Sequence, residues 1–147
     1  MSDTDAIRHG RCLCGDVTFE VTGRPLWIAH CHCESCRRAT SSPFTTYVGV
    51  RSEAVRFGGG PVKTYASSPE VERGFCPRCG SPISYRSAKW PGEVHLFAAT
   101  FEDAAALEPR AHVNVADSLP WADLHDQLPR FDRFGAGVPP SRIGPKT

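Results

Sequence analysis

Apolar and polar residues alternate from Asp16 to Gly23, with Val17, Phe19 and Val21 each flanked by polar or glycine neighbours. A period of two is the pattern of a strand with one face in the core. Comparable short runs recur at 44–50, 54–57, 62–65, 71–75, 83–85, 93–97 and 111–115, rich in Val, Phe, Tyr and Thr and separated by Gly, Pro and Ser. Gly58-Gly59-Gly60-Pro61 reads as a hairpin-type connection between two of them. Helical character is confined to Glu34 to Thr40, directly after a cysteine pair, and to Glu102 to Leu107, an alanine-rich stretch opened by acids suited to a helix N-terminus. With 13 prolines and 13 glycines in 147 residues, elements stay short. The pattern predicts a mainly β fold with minor helix.

Composition sets the scale of that fold. A chain of 147 residues with 40% hydrophobic content supports one core of ordinary size. The layout expected is an N-terminal extension over 1–9, a single domain over 10–134, and a flexible tail over 135–147 whose composition offers too little apolar surface to hold it in place. Seventeen basic against 16 acidic residues leave no strong field to gather nucleic acid or an anionic membrane surface. Acids stand where a secretory signal would carry basic residues, and no apolar run reaches membrane-spanning length, so a cytoplasmic location is expected.

The seven cysteines carry the chemistry. They fall at 12, 14, 31, 33, 36, 76 and 79, an odd and tightly grouped set that suits metal ligands better than a disulfide framework. Cys76-Pro77-Arg78-Cys79-Gly80 has the spacing of a zinc knuckle, where a tight turn brings both sulfurs to one side. Cys12-Leu13-Cys14, set between Gly10 and Gly15, supplies a second pair that a bend can aim at the same ion. Two pairs fill a tetrahedral shell, so Cys12, Cys14, Cys76 and Cys79 read as a closed, structural zinc site. Cys31, Cys33 and Cys36 remain, and three protein ligands with a vacant fourth position is the composition of a catalytic zinc. Two zinc ions are thus expected, one structural and one functional. Two alternatives stay open at this level: His30 or His32 could close the second site, or the clustered thiols could act as a redox pair.

Taken together, Gly-Arg-Cys-Leu-Cys-Gly-Asp-Val-Thr-Phe-Glu-Val from Gly10, Cys-His-Cys-Glu-Ser-Cys-Arg-Arg from Cys31 and Phe-Cys-Pro-Arg-Cys-Gly-Ser-Pro-Ile from Phe75 stand in a particular order. That order, with His112-Val-Asn-Val-Ala-Asp-Ser-Leu-Pro-Trp121 and Leu128-Pro-Arg-Phe131 downstream, resembles the glutathione-dependent formaldehyde-activating enzymes and centromere-protein-V-like proteins. The resemblance implies a β-tent fold, related to zinc ribbons and built of short antiparallel sheets. It implies the same division of the cysteines into a structural four and a functional three. One departure is visible: Thr40-Ser41-Ser42-Pro43 stands where many relatives place a glycine.

The function the resemblance implies is a zinc-dependent carbon–sulfur lyase acting on an adduct of glutathione, or a related thiol, with formaldehyde or a similar small aldehyde. In the namesake reaction the product is S-hydroxymethylglutathione. His32 is the closest titratable residue to the cysteines for proton transfer, with Glu34 behind it. Arg37 or Arg38 could pair with a carboxylate of a glutathione-like thiol, since a guanidinium fork matches that group. The rival readings are a thiol carrier and a non-catalytic zinc module for a protein or nucleic-acid partner.

Overall fold

The computed structural model describes residues 6–135, and the tail beyond Gly135 lies outside the described residues. Ten strands and one helix follow in order: β1 (Ile7–Arg11), β2 (Val17–Thr22), β3 (Trp27–Cys31), α1 (Glu34–Thr40), β4 (Thr45–Arg51), β5 (Val55–Gly59), β6 (Lys63–Ser68), β7 (Val71–Phe75), β8 (Pro82–Ser87), β9 (Glu93–Phe97) and β10 (His112–Val113). They form a three-stranded sheet ordered β1-β2-β5 and a seven-stranded sheet ordered β10-β3-β4-β9-β8-β7-β6. All pairings are antiparallel except β10 with β3. The mainly β, antiparallel expectation is met.

The alternation read in the sequence becomes two-sided burial in the large sheet. Ile28, Val48, Val50, Val94 and Leu96 face the small sheet, where Phe19 and Val21 meet them, and Phe101 and Leu107 close the cluster. The intervening residues Trp27, Ala29, Cys31, Tyr47 and Phe97 form a second cluster on the other face, with Cys36 of α1 and Val113 of the edge strand β10. Successive strand residues point to opposite faces, so one segment serves both the core and the second layer. A third cluster, Cys12, Val17, Cys76 and Ile83, joins the two sheets at one corner.

Four local expectations change. Strand β1 begins at Ile7, inside the stretch read as an extension, and it escaped notice because Arg8, His9 and Arg11 interrupt any apolar pattern. Strand β3 likewise shows no alternation, because Trp27, Ile28 and Ala29 are buried in succession. The stretch 102–107 forms only a short 3-10 turn, Ala104–Ala106. Its acids are engaged elsewhere: Glu102 holds Arg11 at 3.1 Å and Asp103 holds Arg8 at 3.0 Å, tying the turn to β1. The glycine run after Phe57 is not a hairpin, because β5 and β6 belong to different sheets. Its glycines permit close approach instead: the Gly60 N–H bonds the Asp16 carbonyl at 2.6 Å, and a Cβ at Gly59 would lie 2.2 Å from that same oxygen. Among the described residues no helix is long and apolar enough to cross a membrane.

Candidate metal centre and active site

The outer cysteines are built by two matching turns. Gly15 and Gly80 each follow the second cysteine of a pair with positive φ, +82° and +79°, and return an N–H to the carbonyl of Cys12 or Cys76. The turns bring Cys12, Cys14, Cys76 and Cys79 together, all four sulfurs within 4.8 Å of one another. Sulfurs placed about 2.3 Å from one tetrahedral ion are about 3.8 Å apart. Cys12 and Cys14 are 3.6 Å apart and Cys14 and Cys76 are 3.9 Å apart, so the donor set and spacing fit such an ion. The Val17 and Cys79 backbone N–H groups point at the Cys12 and Cys76 sulfurs, at 3.3 and 3.5 Å. The Ser81 hydroxyl, 3.2 Å from Cys79 Sγ, helps draw that thiol down to about 5.

The inner cysteines lie at the seam between β3 and α1. Cys31 ends the strand, Cys33 is the N-cap of the helix, and Cys36 is on its first turn with its side chain buried. Cys31 and Cys36 sulfurs are 3.9 Å apart, again the separation of two ligands on one ion, while the trio as a whole is less tightly gathered than the outer four. Hydrogen bonds from Cys31 and Cys36, followed by N–H groups of the helix start, pull the Cys33 thiol far below its ordinary range. The same contacts, with burial, push Cys31 well above it. Protons among three crowded thiols are shared, so these opposite shifts belong to the trio as a unit.

Side chains from distant strands surround this trio with donors. Tyr47 Oη donates to Cys36 Sγ at 3.3 Å, and burial keeps that phenol protonated. Both terminal nitrogens of Arg73 lie 3.8 and 3.9 Å from the same sulfur. Asn114, at φ 57° just after β10, donates to Cys31 Sγ at 3.3 Å. The sulfurs line a cleft of about 230 Å³. Its floor is one row of cross-strand partners, Trp27–Gly49–His95–Tyr85–Arg73, running over β3, β4, β9, β8 and β7. Trp27 lies flat over Gly49, where a Cβ would come within 2.2 Å of its ring, and bonds Glu93 at 3.0 Å. Trp90 and Phe134, tilted by 35° with ring centroids 4.6 Å apart, pack against it, Phe134 edge-on at 4.9 Å.

The residues assigned to substrate from sequence take other places. None of His32, Glu34, Arg37 or Arg38 lines the cleft. His32 alternates with Cys31 and Cys33, so it faces the opposite side of the chain, where it is 3% exposed and its Nε2 meets His112 Nδ1 at 2.9 Å. Its Nδ1 has no partner among the described residues, and protonating that atom would cost about 1–3 kcal/mol. Glu34 and Arg38 pair with each other across one helical turn at 3.1 Å, exposed. Arg37 reaches the Asp117 carbonyl at 3.3 Å and ties the helix to the C-terminal segment. The cleft presents Tyr47, Arg73, His95 and Asn114 instead. No local motif marks Tyr47, Arg73 or His95, whereas Asn114 stands within the His112 to Trp121 segment, at a positive φ that asparagine tolerates. Thr40 and Ser42 also stay outside the cleft, and Ser41 caps α1 at φ 55°, the conformation a glycine usually supplies there.

A β-rich scaffold with a four-thiol corner and a three-thiol cleft defines a class of protein built around sulfur ligands. A sequence model of the glutathione-dependent formaldehyde-activating enzymes matches residues 7–117, and the chain belongs to that family. A Schizosaccharomyces pombe protein named as an uncharacterized lyase is 34% identical over 123 residues, covering 84% of this chain and 89% of that protein. A Halomonas elongata protein, provisionally named a glutathione-dependent formaldehyde-activating enzyme, is 28% identical over 144 residues, covering 92% and 90%. The fold also matches the crystal structure of a Rhodobacter sphaeroides protein, with TM-score 0.55 at 20% identity over 84% of this chain and 98% of that one.

Proposed function

We propose that this chain is a carbon–sulfur lyase that makes and breaks the adduct of a small thiol, glutathione or a relative of it, with formaldehyde. In the forward direction the thiol sulfur bonds to the aldehyde carbon, the carbonyl π bond opens, and the thiol proton ends on the new hydroxyl. The reverse step returns thiol and aldehyde. The observation that carries the reading is the placement of Cys31, Cys33 and Cys36 on one cleft, in a chain of this family.

Cys31, Cys33 and Cys36 would hold a functional zinc, and Cys12, Cys14, Cys76 and Cys79 a structural one. Bound at the trio, zinc supplies a position where a thiol is deprotonated well below its free pKa. The chain's own groups do the rest. Tyr47, Arg73 and Asn114 spread the negative charge of the cysteine sulfurs and hold them in place. Trp27, Trp90 and Phe134 narrow the cleft and exclude water, which keeps an incoming thiol and aldehyde in contact. Arg73 and Lys89 are the cations on the cleft wall and suit a carboxylate of the thiol. Arg37 and Arg38, held outside, are assigned no contact with substrate, and His32 no direct proton transfer.

The test measures exchange between formaldehyde and its glutathione adduct by NMR line shape, which separates catalysed from spontaneous interconversion. Wild-type protein is expected to accelerate exchange and Cys33→Ser to abolish the acceleration. Binding of glutathione without acceleration would convert the reading to a thiol carrier, and activity surviving in Cys33→Ser would overturn the role of the trio.

A further inference from the structure

On the opposite face of β3 from the cleft, His30, His112 and Asp126 bring one ligand atom each within 4.8 Å of one another. Strand pairing produces the juxtaposition: β10 runs parallel to β3 with His112 opposite His30, and the segment 126–130 returns along β10, bridging Arg130 to His112. His112 Nε2 and Asp126 Oδ2 are 2.9 Å apart. Two ligands about 2.1 Å from one ion at right angles stand about 3 Å apart.

Each of the three groups is held from behind. His30 Nδ1 is 2.8 Å from Thr46 Oγ1. His112 Nδ1 is 2.9 Å from His32 Nε2. Asp126 Oδ1 accepts the Leu128 N–H at 3.0 Å and lies 3.4 Å from Arg130. A polar partner behind every ligand is the arrangement that orients imidazole and carboxylate ligands at metal sites. Both Asp126 oxygens face His112 Nε2, at 3.1 and 2.9 Å; Arg130 opposes a cation by charge, but it lies 3.4 Å from Oδ1 and donates to the carbonyls of Asp126 and Leu128.

We propose that His30, His112 and Asp126 form a metal site separate from the cysteines, holding a divalent first-row transition ion through two imidazoles and one carboxylate. Nitrogen and oxygen donors suit zinc, nickel, cobalt or ferrous iron, and three ligands leave positions for water or a small anion. On loading, the ion takes the place of the proton otherwise shared between His112 Nε2 and Asp126, while His32 Nε2 keeps its contact with His112 Nδ1 at 2.9 Å. His32 is then a positioning residue for this site. The proposal stands independently of the lyase reading, because no cysteine takes part.

The experiment titrates cobalt(II) into the zinc-loaded protein and follows absorption together with equilibrium dialysis. The expected result is one further equivalent per chain with the weak bands of nitrogen and oxygen ligation and no thiolate-to-cobalt charge transfer. Asp126→Asn and His30→Gln should each weaken that equivalent by tenfold or more on the order expected for lost ligands, with cysteine-bound zinc unchanged. Absence of the equivalent from wild type, or its retention at equal affinity in both variants, overturns the site. Should Asp126→Asn fail to fold by circular dichroism, His30→Gln, at the partly exposed end of β3, decides alone.

Discussion

The two sulfur centres differ in what holds them. The outer four cysteines sit on tight turns and receive backbone N–H groups and one serine hydroxyl. The inner three receive side chains, Tyr47 from β4, Arg73 from β7 and Asn114 from beyond β10. A centre made by backbone is fixed once its turns are made. A centre ringed by side chains can be retuned one substitution at a time without rebuilding the scaffold. Under the proposed function the contrast is that of a fastener and a working site.

The largest test of that contrast is Cys76→Ser. Cys76 is fully buried in the corner joining the sheets, and a structural zinc contributes on the order of 10 kcal/mol to folding in small metal domains. The expected outcome is insoluble protein, or a thermal transition lost on chelation, and a well-folded Cys76→Ser would break the comparison. Next comes Cys33→Ser, which should keep its circular dichroism spectrum while exchange activity falls by at least ~100-fold. Smaller again is Arg73→Gln: zinc affinity at the trio should drop by about 10- to 100-fold, read by competition with a chromogenic chelator, with the outer zinc unaffected. Gly49→Ala should cost about 1–3 kcal/mol and disturb Trp27 fluorescence, because a methyl there drives the ring off the cleft floor.

The smallest effect is one of pH. Burial, partly offset by Glu93, holds His95 below the ordinary imidazole value. The unfolded chain therefore takes up that proton first, and stability falls as pH drops through about 6.5. His95→Gln should flatten that part of the stability profile measured by denaturant melts.

The clustering of the outer four cysteines was legible because thiols on turns obey local spacing, and α1 was legible because its residues follow directly from the cysteine pair that ends at its Cys33 cap. The cleft was not. Trp27, Gly49, His95, Tyr85 and Arg73 become neighbours only through the register of five strands, which no window of sequence contains. Arg37 and Arg38 drew attention by standing next to Cys36, but on a helix only one face meets the sheet, and it carries Cys36. The Gly58 to Gly60 run misled for a different reason, since glycine marks close backbone approach as readily as it marks a turn.

Val113, Asn114 and Phe134 complete the wall of the cleft from late in the chain. The trio, at 31 to 36, stands about 80 residues before Val113 and Asn114 in the chain. The cleft is therefore complete only once this last described segment has docked on a sheet whose strands precede it in the chain.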